Sequence, residues 1–391
     1  MLIIKRRKGL KKLFTKIEYY CIINKERYKG DDMIALSIGK STYDTTVPVD
    51  AFPVENTKNL IKEKLESSGG SGSNVAFLLA KWNNETYFAG VVGYDDFGTF
   101  IKKDLESVSV HTNFLEVNYE KKTTTTFIIA NKKTTSRTQL MIEPEIYHLK
   151  KYDYDIVPTV IYSDGYEYSA TMAAINKFPD AITVLGAGLN YADPKEIVSI
   201  AKEVKYIVFS LEFACQITKM RVDVTNPTHL LNLYKELRGK FPKNEIIVTL
   251  QNKGAMFSVH NEVKVMQTIP VQEVDRSGAG DVFDGALIYG LGKGYDLEIC
   301  IRLANIAAAL STTKYGAKDS IPLLSDVIQY YESKFGPLNT TSPTGNENPG
   351  MPNSQEPQMS SSQPVNDLPI QKSNSDSQIP TQNGNQTPNQ G

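Results

Sequence analysis

Short apolar runs alternate with amphipathic stretches through the middle of this chain of 391 residues. Met33–Ile38, Tyr87–Val92, Val157–Tyr162, Ala181–Leu185, Tyr206–Phe209 and Ile246–Leu250 have the length and apolar content of buried strands. Between them, Val75–Lys81, Phe97–Leu105, Ala170–Asn176, Pro194–Val204, Glu212–Thr218 and His229–Leu237 place apolar residues at helical spacing. This alternation predicts βαβ units and an α/β fold with a mainly parallel sheet. Right-handed crossovers then bring the strand C-terminal ends, and any ligand, to one edge of the sheet. Thr123–Ala130, rich in β-branched residues, is predicted as a partly exposed strand.

The pattern stops at both ends. Residues 1–31 carry ten Lys or Arg against three acids, and residues 1–32 read as a basic extension without a fold of its own. From Pro337 to Gly391 there are nine prolines and no aromatic residue among dense Asn, Gln, Ser and Thr. Such a composition buries too little apolar area to offset ordering entropy, so 336–391 is predicted to be a disordered tail. The folded part is therefore expected at 33–335.

Bulk properties exclude more than they identify. A net charge of −1 offers no case for nucleic acid. The three cysteines are far apart and the four histidines scattered, without metal-ligand spacing or a disulfide framework. No apolar run reaches the 18 or so residues that span a bilayer. The expectation is a cytoplasmic protein with neither a nucleic-acid nor a membrane partner.

Chemistry enters with Asp275-Arg276-Ser277-Gly278-Ala279-Gly280-Asp281, followed at helical spacing by Val282, Phe283, Ala286 and Leu287. Glycines at a helix start let backbone approach a ligand, and the unpaired N–H groups there favour an anion. Asp281 would stand beside that anion as a general base; equally, the tetrapeptide is a tight turn with Asp as cap. Upstream, Gly69-Gly70-Ser71-Gly72-Ser73-Asn74 also precedes a helix, and its amide, both donor and acceptor, suits a sugar hydroxyl. Gly93-Tyr94-Asp95-Asp96-Phe97-Gly98 forms a turn whose acids read as helix caps or as a ligand rim. Asp44 lies just past the first strand, where open sheets bind substrate.

In this order and spacing the four motifs resemble the ribokinase-like (PfkB) carbohydrate kinase family over about residues 33–325. Thr249-Leu250-Gln251-Asn252-Lys253-Gly254 is similar to its Thr-x-Gly-x-x-Gly, with Gln251 in place of the first Gly. The resemblance extends through Ala304–Leu310, Tyr315-Gly316-Ala317 and Ile321-Pro322. It implies a three-layer α/β/α sandwich with a small β-sheet lid, its strands within about 41–60 and 111–142. It further implies ATP-dependent phosphorylation of a sugar's primary hydroxyl, with Asp281 as base and Gly278, Ala279 and Gly280 as anion hole. Asp44, Gly69, Gly70 and Asn74 become sugar contacts, and Thr249, Gly254, Asn305 and Gly316 nucleotide contacts. Asp275 resembles a ligand of a monovalent cation such as K+, and relatives pair through the lid as homodimers. Mg2+ is implied with ATP, but Ser210 and Phe213 replace the Asn and Glu of the usual Asn-x-x-Glu. Glu212 stands one position early, which on a helix turns it by about 100°. A nucleoside kinase of the same family, or an inactive binding module, is the alternative reading. Arg137 could reach the site from the lid but is read as solvated, and Asp164 and Glu167 are weak substrate candidates.

Overall fold

The computed structural model describes residues 33–143, 147–188 and 192–338. The basic segment 1–32 and all but the first three residues of the expected tail lie outside the described residues.

Among the described residues the strands, numbered in chain order, form two sheets. The larger runs β13 (Glu262–Met266), β12 (Ala255–Val259), β11 (Glu245–Thr249), β10 (Tyr206–Ser210), β9 (Ile182–Ala187), β8 (Val160–Ser163), β1 (Ile34–Ile38), β4 (Glu85–Gly93), β5 (His111–Asn118). From β11 to β5 every pairing is parallel; β12 and β13 add an antiparallel edge.

Both faces of this sheet are covered, which is why its central strands read as unbroken apolar runs. Successive residues alternate between faces. Val160, Tyr162, Val184 and Val208 join α1 (Ser71–Lys81), α7 (Ala279–Gly292) and α8 (Leu297–Ser311) in one core. On the opposite face, Leu185, Ile207 and Phe209 pack with α4 (Pro194–Ala201), α5 (Leu211–Thr218) and α6 (Pro227–Lys240). There too Leu36, Ile38 and Ile161 pack on α3 (Tyr168–Lys177). The result is a three-layer α/β/α sandwich. Helix α7 is buried continuously from Val282 to Leu291, so apart from Asp284, which accepts from the Tyr162 hydroxyl at 3.0 Å, its sequence is apolar on all sides rather than striped.

The smaller sheet has the order β3 (Leu65–Gly69), β2 (Thr42–Val49), β6 (Thr125–Asn131), β7 (Arg137–Ile142). It departs in two places from the ranges expected for lid strands. His111–Asn118 pairs with β4 as an edge of the large sheet. Residues 50–64 form an exposed loop, with Pro53 and a left-handed Asn56 (φ 62°), so the third strand starts only at Leu65.

Candidate active site

Helix α7 begins at a knotted loop. Asp275 Oδ1 accepts from Ser277 N at 2.9 Å and from Ser277 Oγ at 2.8 Å, while Oδ2 accepts from Gly316 N at 2.9 Å. Gly278 caps the helix at φ 72°, and a Cβ there would lie 2.8 Å from the Ala317 Cβ. Gly280 is different. A Cβ on it would meet nothing within 4 Å, so its own surroundings do not demand glycine. The Ala279 N–H is directed at Arg276 O, 3.3 Å away, and so is partly engaged within the loop.

Asp281 occupies the first turn of α7, where its charge faces the positive end of the helix. Its Oδ2 accepts from Asn74 Nδ2 at 2.6 Å. Loss of hydration is the largest influence on its carboxyl and raises the pKa above the ordinary Asp value. The hydrogen bonds of Asn74 and Ser71 and the charges of Arg137 and Lys318 pull the other way. Asn74 and Ser71 are presented by α1, which starts at Gly70 with φ 88°. A Cβ on Gly70 would fall 2.4 Å from Lys40 O, and one on Gly69 would fall 2.0 Å from Asp44 Oδ2. Gly69 thus gives room to the Asp44 carboxylate and is not itself on the cavity wall.

These groups line a cavity of about 250 Å³. Its floor includes Gly70, Ser71, Asn74, Gly278, Gly280 and Asp281. Its roof is the small sheet, read at every second residue: Thr42, Asp44 and Thr46 from β2, Thr126 and Ile128 from β6, Arg137, Gln139 and Met141 from β7. Asp44 is buried, and its pKa is raised mainly by that burial, against hydrogen bonds from Thr42 (2.6 Å) and Thr126.

A second cavity, of about 820 Å³, lies on the other side of the loop. Thr249, Gly254, Asn305, Ala279 and Gly280 line it. Gly254 has φ 92°, and a Cβ on it would come within 2.0 Å of Met266 O. Asn305 Nδ2 donates to Met266 O at 3.1 Å. Gly316 lines neither cavity; its N–H is held by Asp275. Gly280 and Arg137 line both.

The two departures from the motifs meet in this larger cavity. Ser210 caps α5, its Oγ accepting from Phe213 N at 3.1 Å, and Phe213 is buried in the core. Glu212 is left lining the cavity, where its Oε1 accepts from Gln251 Nε2 at 2.6 Å. Gln251 keeps a glycine-like φ of 56°. Among the described residues no cluster of three or more His, Cys, Asp or Glu forms a metal site from protein ligands alone.

Residues 35–324 match the pfkB family of carbohydrate kinases. The chain belongs to that family. A ribokinase from Staphylococcus aureus is 25% identical over 305 residues, covering 75% of this chain and 97% of the relative. A fructokinase from Vibrio alginolyticus is 23% identical, covering 72% and 95%. Among solved structures, Arabidopsis thaliana ribokinase complexed with ribose and ATP superposes with a TM-score of 0.62 at 20% identity, covering 76% of this chain and 98% of that one.

The structure also places residues of this carbohydrate kinase that its sequence marked only weakly or not at all. Arg137 is exposed, as expected of a solvated side chain, yet it opens onto both cavities. Lys318 is 2% exposed and gave no signal, because a lysine in an irregular loop has no periodicity to mark it as buried. Asp95 proves to be a cap and a joint at once: Oδ1 accepts from Gly98 N (2.9 Å) and Thr123 Oγ1 (2.6 Å), Oδ2 from Thr123 N (2.9 Å). Asp164 lines the smaller cavity but accepts N–H bonds from Lys40, Gly72 and Tyr166. Glu167 accepts from Leu149 N at 2.9 Å.

Proposed function

We propose that this kinase transfers the γ-phosphoryl group of ATP to a primary hydroxyl of a monosaccharide of the ribose or fructose class. The observation that carries the reading is the position of Gly280, which borders both cavities and leaves the space beside it open. Sugar occupies the smaller cavity and ATP the larger, so the phosphoryl group crosses at Gly278–Gly280. Asp281 takes the proton as the hydroxyl oxygen bonds to phosphorus and the bond to the ADP oxygen breaks. The N–H groups of the loop and the helix end stabilise the charge on the phosphoryl oxygens, the Gly278 and Gly280 amides more than the partly engaged Ala279. Arg137 supplies a further positive charge over the same crossing point.

The polar roof supports a sugar over a nucleoside. Pockets for drug-sized ligands run to about 300–1,000 Å³, and the smaller cavity, at about 250 Å³, has Ile128 and Met141 as the apolar residues of its roof. Of the two carboxylates lining the larger cavity, Glu273 is paired with Arg276, so Glu212 is the one that would hold Mg2+ through water, alongside the phosphates, where the ion would neutralise charge. K+ beside Asp275 rests on the family resemblance; the hydrogen bonds of Asp275 account for the residue without it. On β7, residues opposite the cavity, Leu140 (52% exposed) and Ile142 (65%), give the lid an apolar outer face suited to a second copy.

An ADP-release assay across pentoses, ketohexoses, ketodeoxy sugar acids and nucleosides tests this function. A sugar should give the highest kcat/KM. Preference for nucleosides would favour the second reading, and silence with sugar binding retained would favour a non-catalytic module.

A further inference from the structure

Three consecutive residues beyond α8 each hold a different part of the site. The Gly316 N–H binds Asp275, Ala317 packs on Gly278, and Lys318 reaches the opposite wall. The Lys318 ammonium donates to Ser68 Oγ, to Ser73 Oγ at 2.9 Å and to Asp104 Oδ2 at 3.1 Å. Ser68 in turn donates to Asp104. The ammonium also sits 4.9 Å from the centre of the Phe77 ring on α1. Ser68 immediately precedes Gly69-Gly70, and Ser73 adjoins Asn74, the donor to Asp281. Lys318 therefore grips both ends of the loop that carries the sugar-side residues, from a segment already fastened to the start of α7.

We infer that Lys318 is a positioning residue that sets the Gly69–Asn74 loop in register with the Gly278–Asp281 loop, and so sets the sugar against the phosphoryl group. This rests on the proposed function for its catalytic consequence, though not for its structural one. Removing a buried ammonium costs stability in general, but a mere packing role would leave the folded enzyme's kinetics unchanged. Positioning has a different signature, because misplacement by about 1 Å costs on the order of 10²-fold in rate. Ser68, Ser73 and Lys318 line neither cavity, but Gly70, Ser71 and Asn74, which they hold in place, line the smaller one and not the larger, so the KM for ATP should not follow.

The test compares Lys318→Met with Ser73→Ala in the full chain by two measurements. Hydrogen–deuterium exchange should show lost amide protection across 68–74 in Lys318→Met, with β10 and β11 unchanged. With the best sugar of the panel, kcat/KM should fall by about 10²-fold in Lys318→Met and by roughly three- to tenfold in Ser73→Ala, while the KM for ATP stays within about twofold. Ser73→Ala keeps the ammonium and its other two partners, so it remains informative if Lys318→Met does not fold. Parent-like exchange across 68–74 in the folded variants would overturn the inference, as would parent-like sugar kinetics. Absence of turnover in the parent would count against the proposed function alone, and the exchange result would still decide the role of Lys318.

Discussion

Asn74 Nδ2 donates to Asp281 Oδ2 at 2.6 Å, joining the first turns of two helices across 207 residues of chain. The bond ties the first helix after the small sheet to the helix that begins at the glycines. It also fixes the charge environment of Asp281, because an amide donor favours the ionised carboxylate that burial opposes.

Replacing Asn74 by Asp should therefore reverse that influence. A second carboxyl beside Asp281 raises its pKa further, and a base must be deprotonated to act. The acid limb of the kcat/KM profile should already lie above the ordinary aspartate range in the parent and move to higher pH in Asn74→Asp. An acid limb that stays in place would contradict the pairing.

Gly278 and Gly280 should respond in opposite ways to Ala. At 278 the left-handed φ and the contact with Ala317 predict a loss of stability of about 1–2 kcal/mol. At 280 the open space predicts near-parent thermal unfolding but turnover reduced on the order of 10²-fold, since a methyl group enters the crossing point. Thermal melts and steady-state kinetics on the two variants separate the cases. A destabilised but fully active Gly280→Ala would refute the assignment.

Burial pushes the Asp164 carboxyl up to about 6, despite the three N–H groups it accepts. Its unfolded value is near 3.9, so between these values the folded state holds more protons than the unfolded one. The stabilisation from this group is complete below about pH 4 and is lost as pH rises through 6, a change of roughly 3 kcal/mol. Asp164→Asn should abolish that slope in the pH dependence of Tm. It should also lower stability at pH 7 by about 1–3 kcal/mol, since an amide cannot accept from donors on both sides. A variant with parent slope and parent Tm would contradict this.

Much of the fold was legible because the parallel strands are buried on both faces and therefore unbroken in sequence. The strand starting at Ile34 and the glycine loops before α1 and α7 could be placed for the same local reasons that make them fold. The small sheet was harder. Its roof residues do alternate, but Thr123–Thr126 is polar at every position, so neither face stands out in sequence. The surroundings of Glu212 were not legible from helical direction, since the bond it accepts from Gln251 depends on a partner 39 residues away. Lys318 was invisible because its partners lie on three other elements, each more than 200 residues upstream.

The most direct measurement is the turnover of Asp281→Asn beside the binding of sugar and ATP to the same variant. Loss of kcat on the order of 10²–10⁴-fold, with both dissociation constants within a few-fold of the parent, is the predicted result. Turnover within tenfold of the parent would contradict the role of Asp281 as the base.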